Sequence, residues 1–384
     1  MTTLNTLATR CARVAVAAVI ALATLASPAH AQEVPNGSSP LLGSSTVHDL
    51  DAHAMGDYVP PQAELDAAFG CSNPVADPAA KKTVLLVHGV GANAQQTFAW
   101  NYIPQLDAEG FDVCWVNLPH NGRGDLTQAG LYVANAVKLA HSRVGRNIGV
   151  VGHSAGPPAA MWGLRYDAEA ATLVDDFVSV AGAIRGTTLV EPLCLALGNC
   201  PAIAWQMHPQ SNFVQALNAE PLAETIDVTS VYSLTDYGIQ PATQASYIAG
   251  AANIPTQRLC PTQIPGHIGI LANNTAYQLV LDALNHDGPA DPARLKGLAC
   301  SQHISPGIDP RALPVAIPAI GEYVAALGEP RYLSEPALPS YARADVAAPL
   351  DPTQMRSGSS QRLAEGSATY SSGVIGSAAG SSSL

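Results

Sequence analysis

The stretch Val150-Val151-Gly152-His153-Ser154-Ala155-Gly156 constrains this chain more than any other. Residues 147–151 are short, β-branched and apolar, as a strand buried on both faces must be. Ala159, Ala160, Met161, Trp162 and Leu164 follow at helical spacing. Between them stands Gly-x-Ser-x-Gly, so the spacing predicts a sharp strand-to-helix turn with Ser154 at its apex. Such a turn strains its apical residue and lifts the hydroxyl above the sheet edge. Side chains in place of Gly152 and Gly156 would strike the neighbouring helix and strand. The first N–H groups of the helix have no partners inside it and face whatever approaches Ser154. Pro157 and Pro158 suit that first turn, and Ala155 keeps its N–H. The five residues alone would also describe an inert serine; the strand before and the helix after them are what point to chemistry.

The body around this stretch alternates. Residues 83–88, 112–117, 177–181 and 228–233 read as further strands, and 258–260 as a short extended segment. Residues 126–142 read as a helix with Thr127 as its cap, and 268–284 and 313–327 as two more. Strands alternating with helices predict an α/β fold, a mostly parallel central sheet with helices on both faces. In such sheets chemistry collects at the carboxyl ends of the strands.

The chain begins with Arg10 and Arg13 ahead of an apolar run, 14–26, and a small-x-small site, Ala29-His30-Ala31. Residues 1–31 are therefore a secretory signal peptide, too short in its apolar part to span a bilayer. An exported, soluble, extracellular protein follows. Cys11 leaves with the leader, and Cys71, Cys114, Cys194, Cys200, Cys260 and Cys300 remain. An even set in an exported chain predicts disulfides, but spacing selects none of the fifteen pairings. Cys194 and Cys200 are close enough to staple one loop. No cysteine or histidine spacing fits zinc, so no metal is expected. The formal charge is −12 with few lysines and no basic stripe, which argues against nucleic acid as a partner. Only 12% of residues are charged, in keeping with neutral or apolar substrates. Residues 32–60 read as an extended arm, 61–350 as one large α/β domain, and 351–384 as a disordered Ser/Gly/Ala-rich tail. Asn36-Gly37-Ser38 and Asn273-Asn274-Thr275 match glycosylation acceptors.

A serine hydroxyl needs a base to take its proton, and the base needs a third group to fix its tautomer. After a Gly-x-Ser-x-Gly turn the chain order is serine, acid, histidine. The downstream histidines are His208, His267, His286 and His303. His267 lies in Pro265-Gly266-His267-Ile268-Gly269, a loop between a strand and a helix, and is the candidate base. His286 sits at a helix end where a cation suits the dipole, His208 precedes the acid, and His303 is in a Pro-rich loop. Asp236 follows the strand 228–233 and is the candidate acid; its bland reading is a turn-former. Asp227 is on the wrong edge and Asp282 is inside a helix. A developing oxyanion needs two donors, assigned here to the N–H groups of Ala155 and of Val90 in His88-Gly89-Val90-Gly91. Gly89 and Gly91 allow the backbone to approach a ligand, and His88 reads as shaping the loop rather than moving protons.

From residue 65 to 343 the chain resembles the α/β-hydrolase lipases of the Candida antarctica lipase B type. The matching pieces are Leu65-Asp66-Ala67 with Cys71, residues 84–91, Thr97-Phe98 with Ile103-Pro104, and Cys114-Trp115. They continue through Trp162-Gly163-Leu164, Arg185-Gly186-Thr187, Val231-Tyr232-Ser233 with Thr235-Asp236, and Gln240-Pro241. Cys260, His267, Cys300 and Tyr341-Ala342-Arg343 complete the series. The common order, rather than any one piece, carries the likeness. The resemblance implies Ser154, Asp236 and His267 as a triad, and disulfides Cys71–Cys114 and Cys260–Cys300.

It also implies a secreted, monomeric serine hydrolase that cleaves carboxylic esters, acylglycerol lipids in particular, through an acyl-enzyme. Such an enzyme needs no cofactor and touches a lipid interface only transiently. Acyl transfer or hydrolysis of a cutin-like polyester would use the same residues, and a catalytically silent binding protein is the non-enzymatic reading. Departures from the family pattern stand at His153, where a Trp is usual, at Val90 in place of Thr, and at Ser334 in place of a cysteine. Cys194 and Cys200 are this chain's own pair. Leu313, Val315, Ile317, Ile320, Val324 and Leu327 either line an apolar pocket mouth, as the matching helix does in the family, or pack as an ordinary helix.

Overall fold

Runs of β-branched and apolar residues set the framework. In the computed structural model, which describes residues 57–190, 194, 199–308 and 331–346, nine strands form two sheets. They are β1 Phe69–Cys71, β2 Thr83–Val87, β3 Asp112–Val116, β4 Ile148–His153, β5 Val174–Val180, β6 Cys200–Pro201, β7 Asp227–Tyr232, β8 Ala252–Pro255 and β9 Arg331–Tyr332. The seven-stranded sheet runs β1-β3-β2-β4-β5-β7-β8; β6 and β9 pair separately. Within the large sheet only β1 is antiparallel to its neighbour. The expected α/β architecture, a mostly parallel sheet between helical layers, is what forms. The signal peptide, the arm up to residue 56, Asn36, the helix 313–327 and the tail 351–384 lie outside the described residues.

The two-residue period of a strand divides the core. Leu85, Val87, Val150 and Phe177 face one layer with Val133, Val137, Ala159 and Trp162. Those partners come from α1, Leu126–Val144, and α2, Gly156–Tyr166. Val84, Leu86, Val151 and Val178 face the other layer with Phe98, Tyr102, Leu279 and Val280. Leu279 and Val280 belong to α3, Asn274–Asn285. Val84, Leu85, Leu86 and Val87 are wholly buried, each contributing about 1.5–3 kcal/mol. A sheet so covered leaves only its strand ends open to ligands.

Four local expectations are corrected. The cap of α1 is Asp125, whose Oδ1 accepts from Thr127 N at 2.7 Å; Thr127 is the second helical residue. The extended segment near 258–260 is instead a 3₁₀ turn, Thr256–Arg258, and the strand precedes it as β8. Ala252–Pro255 has little strand propensity of its own and extends because the open edge of β7 pairs with it. The helix expected over 268–284 breaks into a 3₁₀ turn, Gly269–Ala272, and α3, because Asn273 caps α3 by accepting from Ala276 N at 3.0 Å. The same Asn273 is buried and its Nδ2 donates to Gln263 Oε1 at 2.8 Å, so it is not exposed to take a glycan.

Candidate active site

Ser154 follows β4 directly and has a φ of 62°, left-handed backbone that costs a non-glycine residue about 1–3 kcal/mol. The surroundings hold it there. Ser154 N donates to Val180 O at 3.1 Å, and Ala183 N donates to Ser154 O at 3.0 Å. A Cβ at Gly156 would fall on Val87 O and within 2.7 Å of His88 O, so only glycine lets α2 start this close to the end of β2.

The structure brings Ser154, His267 and Asp236 together. Ser154 Oγ is 2.8 Å from His267 Nε2, and His267 Nδ1 is 2.9 Å from Asp236 Oδ2. A carboxylate only accepts, so Nδ1 carries the proton and Nε2 presents its lone pair to the serine hydroxyl. Asp236 is buried, and its Oδ1 accepts from Gly238 N at 2.7 Å and Ile239 N at 3.0 Å. A Cβ at Gly238 would overlap the His267 ring, which therefore rests on the turn that holds its acid. Neither backbone donor was foreseen from sequence, although Asp236-Tyr237-Gly238 is a sequence that favours such a turn.

The loop bearing His267 is tied at several points. Thr235 Oγ1 donates to Pro265 O at 3.1 Å, and Gln257 Nε2 donates to Gln263 O at 3.0 Å. Cys260–Cys300 closes its base; Cys71–Cys114 joins β1 to β3, and Cys194–Cys200 staples its own loop. The other histidines are engaged elsewhere. His286 Nδ1 donates to Asp282 O at 2.9 Å, His208 Nδ1 accepts from Gln210 N at 3.1 Å, and the His303 carbonyl accepts from Asn274 N at 3.0 Å. Asp282 pairs with Arg294, and Asp227 accepts from Gly288 N at 2.9 Å.

The loop after β2 touches the serine: a Cβ at Gly89 would lie 2.6 Å from Ser154 Cβ. His88 shapes this loop, as expected. Its Nδ1–H donates to Gly89 O at 2.8 Å while its Nε2 accepts from Leu118 N at 2.9 Å. Full burial pushes His88 down to about 4, so the ring is neutral. Holding the Gly89 carbonyl turns the N–H of the same trans peptide, that of Val90, the opposite way. Among the described residues no protein acceptor takes the N–H of Val90 or of Ala155. Two N–H groups without a protein acceptor thus belong to the two segments that meet at Ser154.

His153, in the place of the family's Trp, is buried. Its Nε2 lies 2.9 Å from the carbonyl oxygen of His267, and the two rings are 4.9 Å apart. Burial, and then the neighbouring His267, push His153 down to about 3. Sequence gave no sign of this contact beyond a polar ring at the end of a buried strand. Around the site Leu234, Tyr237, Ile264 and Ile268 are exposed, flanking Asp236 and His267.

No protein-family model matches the chain. It is 29% identical over 294 residues to lipase B of Pseudozyma antarctica, covering 74% of this chain and 85% of that protein. Among solved structures, lipase B of Aspergillus fumigatus superposes with a TM-score of 0.64 at 26% identity, covering 79% of this chain and 77% of that one. By its sheet order, its strained serine turn and these likenesses, the chain is an α/β-hydrolase and a carboxylic ester hydrolase that resembles lipase B.

Proposed function

We propose that this protein is a secreted lipase that cleaves acylglycerol esters through Ser154, His267 and Asp236. The observation that carries the reading is the continuous chain of contacts from Ser154 Oγ through His267 to Asp236, at 2.8 and 2.9 Å. Ser154 Oγ attacks the acyl carbonyl carbon and its proton passes to His267 Nε2. The carbonyl oxygen, now an oxyanion, is held by the N–H groups of Val90 and Ala155. When the C–O bond to the alcohol breaks, the leaving oxygen takes the proton from His267 and an acyl-enzyme remains. Water then repeats the sequence, giving its proton to His267 and releasing the acid.

The exposed apolar residues Leu234, Tyr237, Ile264 and Ile268 beside the site support a lipid substrate and transient contact with its interface. The leader 1–31 and three disulfides support export. The test is Ser154→Ala assayed on tributyrin and on a p-nitrophenyl ester, alongside labelling by a fluorophosphonate. Turnover should fall by about 10⁴- to 10⁶-fold and labelling should vanish with the fold intact. A folded Ser154→Ala that still turns over would overturn the assignment. A wild-type protein that neither turns over nor is labelled would indicate a silent scaffold.

A further inference from the structure

We propose that His153 is a positioning residue for the base: from the position beside the nucleophile it holds the main chain of His267. This rests on the triad reading above. The carbonyl oxygen of His267 can only accept, so His153 Nε2 carries the proton of that 2.9 Å hydrogen bond. The ring is buried and tilted by 39° against that of His267. The contact joins residues 114 positions apart and bypasses the proton being transferred.

The arrangement matters because of what else holds His267. The chain between the 3₁₀ turns Thr256–Arg258 and Gly269–Ala272 has no regular structure of its own. Its other ties are the Cys260–Cys300 disulfide and hydrogen bonds at Gln263 and Pro265, and Ile270 N donates to Gly266 O at 3.0 Å. At His267 itself the main-chain carbonyl is fixed by His153. Through it the serine turn and the base share one rigid link, so the 2.8 Å separation of Ser154 Oγ and His267 Nε2 is set from the nucleophile's side. Because His153 stays neutral, it neither competes for the serine's proton nor sets a second charge against the imidazolium that forms.

Three variants separate the hydrogen bond from simple packing. His153→Phe keeps a ring but cannot donate; His153→Gln places an amide N–H near the position of Nε2; His153→Asn falls short of it. The readouts are kcat and KM on a soluble p-nitrophenyl ester, with Tm as control. His153→Phe and His153→Asn should lose about 10- to 100-fold in kcat with KM within about twofold, and His153→Gln should return most of that loss. Should His153→Phe fail to fold, the Gln and Asn pair carries the comparison alone. Wild-type kcat in the folded variants that lack the donor, or equal losses in Gln and Asn, would overturn the proposal. Ser154→Ala measured alongside keeps the two readings apart: it must be inactive whichever way the His153 series falls.

Discussion

Asp236 Oδ2 lies 2.9 Å from His267 Nδ1 while its Oδ1 is committed to the N–H groups of Gly238 and Ile239. The carboxylate is thus oriented before any substrate arrives, and it fixes the tautomer that leaves His267 Nε2 free to accept. Asp236→Asn keeps size and can keep the two backbone bonds. An amide nitrogen at the place of Oδ2 would require Nδ1 to accept, moving the ring proton to Nε2, where it blocks the serine. We expect kcat/KM to fall by about 10³- to 10⁴-fold with Tm little changed. Steady-state kinetics and a melting curve on the same preparation check this; a loss under tenfold would detach Asp236 from the chemistry.

The serine turn makes a second, structural prediction. Gly156→Ala would drive a Cβ onto Val87 O and to 2.7 Å from His88 O, both backbone atoms at the end of β2. Either α2 or the strand end must move, at a cost of about 1–3 kcal/mol or more. The strand end leads into the Gly89-Val90 loop, so activity should fall further than stability. Turnover compared with the denaturant midpoint would reveal it, and a variant that loses stability but keeps full kcat would show that the loop does not depend on this contact.

How much of this was legible in the sequence depends on where the determining contact lies. Buried parallel strands such as Thr83–Val87 and Ile148–His153 are continuous apolar runs, and their own side chains specify them. The edge strands Phe69–Cys71 and Ala252–Pro255 are short and mixed in composition; a neighbour's free edge makes them strands, and no local pattern marks that. Chain order and the Gly-x-Ser-x-Gly turn picked out Ser154, Asp236 and His267, and the structure brings those three together. Of the clamps around them, the sequence showed only that His88 shapes its loop, not which atoms it holds. His88 on Gly89 and His153 on the His267 carbonyl depend on which atoms of a ring face which peptide once the sheet has formed. Asn273 shows the opposite failure: a local capping signal was present, and the triplet was read as a glycan acceptor instead.

Two buried neutral histidines predict acid sensitivity. His88 is pushed down to about 4 and His153 to about 3, both chiefly by burial. In the unfolded chain each would take a proton near pH 6.5. As pH falls below about 6.5 the unfolded state binds protons that the folded state refuses, so stability present at neutral pH drains away, down to about pH 4 for His88 and about pH 3 for His153. At about 1.4 kcal/mol per pKa unit, each represents several kcal/mol at the acid end. Tm should therefore fall steeply between pH 6.5 and 4, and His153→Gln, with no such group, should show a shallower fall. Parallel curves for the two proteins would place the acid sensitivity elsewhere.

The disulfides should separate local from global stability. Cys260–Cys300 closes a loop with a sequence separation of 40, and Gln263 Nε2 donates to Cys300 O at 2.9 Å within it. That loop contains His267, while Asp236 and Ser154 stand outside it. Replacing both cysteines by serine should cost about 2–4 kcal/mol. It should also loosen the base before the sheet gives way, because the buried core of β2, β4 and β5 does not run through the bond. Turnover in the double variant should then disappear on heating well below the midpoint seen by far-ultraviolet circular dichroism, whereas in the parent the two curves stay close. Cys194–Cys200 spans a separation of only 6 and packs with Ala202, Trp205 and Tyr332 in a small cluster separate from the two layers of the main core. Its double serine variant should lower Tm slightly and leave kcat unchanged. If both variants lost activity and structure at one temperature, the His267 loop would be no more independent than the rest of the fold.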